Sequence, residues 1–124
     1  LLYVIEGHDL RVAFVQENGG NGAVVNDLDS GEVSFFQRGL IHYEQNLSCE
    51  PLRYIAALNS EDPGAVTITT RFFELPEEAL QASLNIENDK LKQLIAGLPA
   101  NPAQGARECR KRCGLDKAGH NLRG

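Results

Sequence analysis

His42 is the residue of this sequence with the clearest capacity for chemistry, because a neutral imidazole is a good ligand for transition metals. It lies in the stretch GEVSFFQRGLIHYEQN, which runs from Gly31 to Asn46. The composition of this stretch predicts that His42 lies in a strand, and a rigid strand fixes the direction of a ligand better than a loop does. A hydrogen-bonded core histidine and a metal ligand are both compatible with these features alone.

The spacing of residues around His42 favours the metal ligand. Gly31 is followed after five residues by Gln37, and then come Gly39, His42 and Asn46. This order resembles the second conserved motif of the cupin superfamily, which has a proline at the position of Gln37. Loss of that proline removes a fixed φ angle and is expected to loosen the turn before the histidine.

Further segments resemble the germin-like proteins of that superfamily. Residues 59–68, NSEDPGAVTI, look like their turn and following strand, and the predicted helices after Phe73 look like their C-terminal helical extension. In germin-like proteins, manganese is held by two histidines and a glutamate of a first motif and by the histidine of the second. The resemblance therefore implies that His42 is a manganese ligand. If Gly7 closes the first motif, its glutamate falls immediately before Leu1 and the other ligands precede this chain.

The same resemblance implies a function. It points to a secreted protein whose complete form is a manganese-dependent oxidoreductase of the oxalate oxidase or superoxide dismutase type, with this chain inactive by itself. A small anion or an oxygen species is then the expected ligand, and trimers or hexamers clasped by the helical extension are the expected assembly. The alternative is a non-catalytic cupin that serves as a storage, wall-associated or ligand-binding module.

The elements that must position His42 are predicted from short apolar runs separated by Gly, Asn and Pro. Leu1 to Gly7 and the run after it are expected to pair as a hairpin with its turn at Gly7 and His8. The predicted strands are 1–7, 8–17, Ala23–Asn26, Val33–Phe36, Leu40–Asn46, Leu52–Leu58 and Ala65–Phe73. About seven antiparallel strands indicate a mainly β protein, and the resemblance makes it an incomplete cupin-type jelly-roll β-barrel.

The pattern changes at Pro76, where apolar residues take helical spacing. LPEEALQASL begins with a proline and acidic residues suited to a helix N-terminus, and ENDKLKQLIAGL and ARECRKRCGL predict two more helices. We therefore predict a partial cupin β-barrel over residues 1–75 and a C-terminal helical extension with a tail over 76–124. The middle helix has an apolar stripe that must be covered by a neighbouring subunit or by the chain's own barrel: Leu91, Leu94, Ile95 and Leu98.

Three cysteines, Cys49, Cys109 and Cys113, form an odd set. Cys109 and Cys113 are four residues apart and so share one face of the predicted last helix. Either one of them bonds to Cys49 and ties the tail to the barrel, or the thiols are free or paired outside this chain. Asn46 begins an NLS sequon, but its place in the histidine motif favours an unused glycosylation site.

Composition limits the class of protein. A chain of 124 residues with 42% hydrophobic and 23% charged residues is expected to fold as one domain with a core. A net charge of −5 argues against a nucleic-acid surface, and no apolar run is long enough to span a bilayer. Because the sequence starts at Leu1 and contains no methionine, we expect it to be a fragment.

Overall fold

The computed structural model describes residues 1–99 and 105–115, which form two compact units. In their described parts, the first unit contains residues 1–61 and 105–115 and the second contains residues 62–99. The strands are β1 (Leu2–Glu6), β2 (Leu10–Val15), β3 (Ala23–Leu28), β4 (Val33–Ser34), β5 (His42–Asn46) and β6 (Arg53–Ala56). The helices are α1 (Ile68–Phe72), α2 (Glu77–Leu84), α3 (Asn88–Ala96) and α4 (Arg107–Arg112).

The strands of the first unit form two antiparallel sheets of three strands each. Their orders are β4-β1-β6 and β3-β2-β5. The mainly β fold predicted from the sequence is confirmed, and within the described residues the two sheets do not close into a barrel. The predicted division at residue 75 stays a prediction, and residues 100–104 and 116–124 of its second part lie outside the described residues.

The core of the first unit lies between the two sheets. Side chains alternate along a strand, so each sheet directs every second residue to the same side. In β1 these residues are Leu2 and Val4, and in β2 they are Leu10 and Val12, all of them buried in one cluster with Leu28 of β3. In each sheet, we call the face on which its members of this cluster lie the inner face. Phe36 and Leu52 are half-buried and pack against the same cluster.

The prediction that β1 and β2 pair as a hairpin was wrong. β1 pairs with β4 and β6, whereas β2 pairs with β3 and β5. Gly7 and Asp9 both have positive φ angles, and the chain passes from one sheet to the other between the two strands. Both strands are strongly apolar on one face, and placing them in opposite sheets lets those faces pack against each other instead of lying side by side.

The strand predicted over Ala65–Phe73 was also wrong, because α1 occupies most of it. A strand needs a neighbour for its backbone hydrogen bonds, whereas a helix satisfies them locally. Here the amide of Arg71 donates to the carbonyl of Thr67, and the hydroxyl of Thr70 donates to the same carbonyl at 3.2 Å. Nη1 of Arg71 also donates to both carboxylate oxygens of Glu74, at 2.9 and 2.8 Å. These local bonds outweigh the strand propensity of the β-branched residues.

The predicted helices after Pro76 are confirmed as α2 and α3. Glu77 and Glu78 lie in the first turn of α2, where negative charge is favourable, and each helix has one buried leucine, Leu80 or Leu91. Of the predicted apolar stripe of α3, Leu94 and Ile95 remain exposed. No helix among the described residues is long and apolar enough to cross a membrane.

The third predicted helix is confirmed as α4, and a disulfide links its C-terminal end to the loop after β5. Cys49 bonds to Cys113, which decides between the two alternatives that the sequence left open in favour of a link from the β part to the tail. Cys109 is a buried free thiol, with its Sγ 3.6 Å from the carbonyl oxygens of Asn46 and Leu47. One face of α4 therefore lies along the loop that follows β5.

Gly39 gives the entry into β5 its shape. Its φ angle is +83°, and the turn is closed by the amide of Leu40, which donates to the carbonyl of Gln37 at 3.3 Å. No atom lies within 4 Å of a Cβ placed on Gly39, so conformation and not space requires the glycine.

We expect Gly39→Ala to lower the free energy of unfolding by about 1 to 2 kcal/mol, because an L side chain disfavours this backbone conformation. Urea denaturation measures the change. Gly64→Ala is the matched control, since Gly64 also has open space but no positive φ, and it should leave stability unchanged or slightly raised. Equal losses in both variants would contradict this role of Gly39.

Candidate metal site

His42 begins β5, which lies beside β2 in the second sheet. The register pairs His42 with Phe14, Glu44 with Val12 and Asn46 with Leu10. Paired residues of antiparallel strands point to the same face of a sheet. His42 and Glu44 therefore lie on the inner face, with the buried Val12 and Leu10, although both side chains remain exposed to solvent.

The imidazole of His42 is oriented by two contacts. Its Nδ1 lies 2.9 Å from the carbonyl oxygen of Leu40, and because a carbonyl only accepts, Nδ1 carries the proton and donates it. The ring stacks on Phe36, with ring centroids 4.6 Å apart and planes 19° apart. Phe36 in turn meets the edge of Phe14 at 6.4 Å. This tautomer leaves the lone pair of Nε2 available, which is the arrangement expected of a metal-binding histidine.

A carboxylate and a phenol lie on the same side of the sheets as His42. The hydroxyl of Tyr54 donates to Glu44 Oε2 at 3.2 Å. Tyr54 belongs to β6 and is paired with the buried Val4, so it projects from the inner face of the first sheet. Burial and then the charge and hydrogen bond of Glu44 raise the pKa of Tyr54, so the phenol keeps its proton at neutral pH. This bond joins the two sheets across the space between them.

The donors present fit one part of a metal site. An imidazole nitrogen is a donor for first-row transition metals, and the Nε2 of His42 on the inner face is such a donor. Within residues 1–99 and 105–115, no three His, Cys, Asp or Glu side chains come together as a site. His42 as a manganese ligand therefore stays a prediction that requires further ligands.

Sequence reasoning missed three of the residues around His42. Glu44 follows it by two positions, so strand alternation alone could have placed both on one face. The aromatic composition of the segment pointed to neither the stacking of Phe36 on the imidazole nor the approach of Tyr54. The approach of Tyr54 depends on the arrangement of distant strands, and the stacking of Phe36 depends on the path of the turn between β4 and β5; a single sequence specifies neither.

Asn46, the last residue of the motif, shapes the loop after β5 and does not face the metal position. Its Nδ2 donates to the carbonyl of Glu50 at 2.7 Å, and its Oδ1 accepts from the amide and hydroxyl of Ser48. These bonds hold the loop that carries Cys49 to its disulfide partner. Both polar atoms of the Asn46 side-chain amide are therefore engaged within this loop.

Comparison with known proteins identifies the family. Residues 1–92 match the family described as Cupin. The chain is 44% identical to Spherulin-1B of Physarum polycephalum over 89 residues. These residues make up 71% of this chain and 36% of that protein. It is 36% identical over 101 residues to Germin-like protein 8-5 of Oryza sativa subsp. japonica, covering 77% of this chain and 45% of the relative. No solved structure gives a significant match.

A third relative, Probable germin-like protein subfamily 2 member 5 of Arabidopsis thaliana, is 30% identical over 95 residues, which cover 76% of this chain and 43% of the relative. The chain thus spans less than half the length of these relatives. The match to the family includes both sheets, the glycines of the motif and His42. The chain is a member of the cupin family and belongs with its germin-like proteins.

Proposed function

We propose that this chain is the C-terminal part of a secreted germin-like cupin that binds manganese, with His42 as one ligand through Nε2. The complete protein would be a metal-dependent oxidoreductase of the oxalate oxidase or superoxide dismutase type. The observation that carries the proposal is the inner-face position of His42, with Nδ1 engaged by the carbonyl of Leu40 and Nε2 without a hydrogen-bond partner among the described residues. The named relatives support the germin-like part of the proposal.

The chain's own residues would supply the geometry of the site. Phe36 fixes the plane of the imidazole by stacking, and the carbonyl of Leu40 fixes its tautomer. A bound manganese ion would supply one-electron redox chemistry and an open position for a small anionic or oxygen ligand. The remaining ligands would come from parts of the complete protein that this chain does not contain, since the chain spans less than half the length of its relatives.

Secretion and assembly are further parts of the proposal. The Cys49–Cys113 disulfide supports an oxidising compartment, because disulfides persist mainly in secreted proteins. The exposed Leu94 and Ile95 of α3 support a homo-oligomer, trimer or hexamer, in which a neighbouring subunit covers them. Sedimentation of the complete protein measures the oligomeric state, and a monomer would contradict this part.

The function is tested on the complete protein, expressed with manganese and analysed for bound metal by elemental analysis. We expect stoichiometric manganese and turnover of superoxide or oxalate that a chelator removes and added manganese restores. Bound manganese without turnover of either substrate would support the alternative, a non-catalytic cupin module. A protein that takes up no manganese would contradict the proposal itself.

A further inference from the structure

Glu44 places a negative charge next to the position that a metal on His42 would occupy. The two residues are separated by one residue of β5 and share the inner face. Two residues along a strand span about 6.6 Å, so their side chains reach into the same space. Nothing in the motif spacing that identifies His42 requires a carboxylate at this position.

Tyr54 fixes the direction of this carboxylate. The phenol approaches from the opposite sheet and donates to Oε2 at 3.2 Å, which holds Glu44 between the sheets. Among the described residues, Tyr54 is the side chain that bonds to Glu44, and the phenol is neutral. The phenol therefore orients the carboxylate without cancelling its charge. Arg11 of β2 is next to Val12, the residue paired with Glu44, but its guanidinium bonds to Asp27 and not to Glu44.

We propose that Glu44 determines the substrate class of the site by charge, favouring neutral and singly charged oxygen species over small dianionic carboxylates. This inference rests on the proposed function, because it assumes a metal held by His42. It selects between the two activities left open above: a superoxide-type substrate fits the site and oxalate is disfavoured. The carboxylate acts on the ligand through space and is not itself a metal ligand.

The size of the effect follows from the separation of the charges. Two unit charges about 6 Å apart in a partly solvated site change a binding constant on the order of tenfold. A dianion should therefore be disfavoured on the order of a hundredfold and a monoanion on the order of tenfold, relative to a neutral molecule of the same shape. A purely structural role of Glu44 would not produce this dependence on ligand charge.

The test compares oxalate, oxamate and oxamide, which have nearly the same shape and carry two, one and no negative charges. Their affinities are measured on the manganese-loaded complete protein by water-proton relaxation, for the wild type and for Glu44→Gln. The amide oxygen of glutamine can still accept from Tyr54, so the substitution removes charge and keeps the contact. Glu50→Gln, in the loop beyond the other end of β5, is the control for a change in net charge.

We expect Glu44→Gln to bind oxalate on the order of a hundredfold and oxamate on the order of tenfold more tightly, with oxamide and manganese content unchanged. Glu50→Gln should match the wild type. Equal changes for the three ligands, or no change, would overturn the charge selection while leaving manganese binding intact. A loss of manganese in Glu44→Gln would overturn it by making Glu44 a ligand, and a wild type without manganese would overturn the proposed function as well.

Discussion

Replacing His42 with alanine in the complete protein is expected to lower its affinity for manganese on the order of a hundredfold or more. Loss of a residue that only supports a metal ligand already lowers metal affinity by about 10- to 100-fold, and loss of a ligand itself should cost at least as much. The fold should survive, since the His42 side chain is exposed and its loss opens no buried cavity. Titration with manganese, followed by the signal of the free ion in electron paramagnetic resonance, measures the affinity.

His8→Ala is the matched control for this substitution. His8 is also exposed, but it lies in the connection between β1 and β2, and its Nδ1 is 2.9 Å from Oδ2 of Asp9. Its removal deletes an imidazole without touching the inner face, and manganese affinity should stay at the wild-type value. An unchanged affinity in His42→Ala, or equal losses in both variants, would exclude His42 as a ligand.

Removing the disulfide is expected to lower the free energy of unfolding by about 4 kcal/mol. Cys49 and Cys113 are 64 residues apart, and a cross-link that closes a loop of this length restricts the unfolded chain to about that extent. The double substitution Cys49→Ser and Cys113→Ser removes the bond without leaving either of its thiols free. Urea denaturation measures the loss, and hydrogen exchange over α4 should show that this helix opens before the sheets.

Cys109→Ser controls for the loss of sulfur next to the same loop. Its thiol makes only weak contacts, with Sγ 3.6 Å from two carbonyl oxygens, so the cost should be about 1 kcal/mol. A double variant that loses no more stability than Cys109→Ser would show that the disulfide is not what secures α4. Unchanged hydrogen exchange over residues 107–112 would lead to the same conclusion.

Much of the fold could be predicted because local pattern and burial agree. The alternation that buries Leu2 with Val4 and Leu10 with Val12 also marks β1 and β2 as strands. Glycine at position 39 is the residue type expected in a sharp turn, and its positive φ gives the reason. The helices after Pro76 have acidic first turns and spaced leucines, which are signals that do not depend on distant partners.

The errors concern choices that depend on distant strands. Whether β1 pairs with β2 or with β4 and β6 is decided by which apolar faces cover each other, and adjacency in sequence favoured the wrong answer. Residues 65–73 alternate like a strand, but in this chain local bonds at Thr67 and Arg71 satisfy the backbone instead. The Tyr54–Glu44 bond joins two sheets, so it could be found only from their arrangement.

Anomalous diffraction from crystals of the complete protein, measured on both sides of the manganese absorption edge, tests the central claim most directly. We predict a manganese peak within bonding distance of His42 Nε2, with Nδ1 still directed at the carbonyl of Leu40. A peak that lies away from this nitrogen, or an imidazole that turns from the ion, would contradict the assignment of His42 as a ligand.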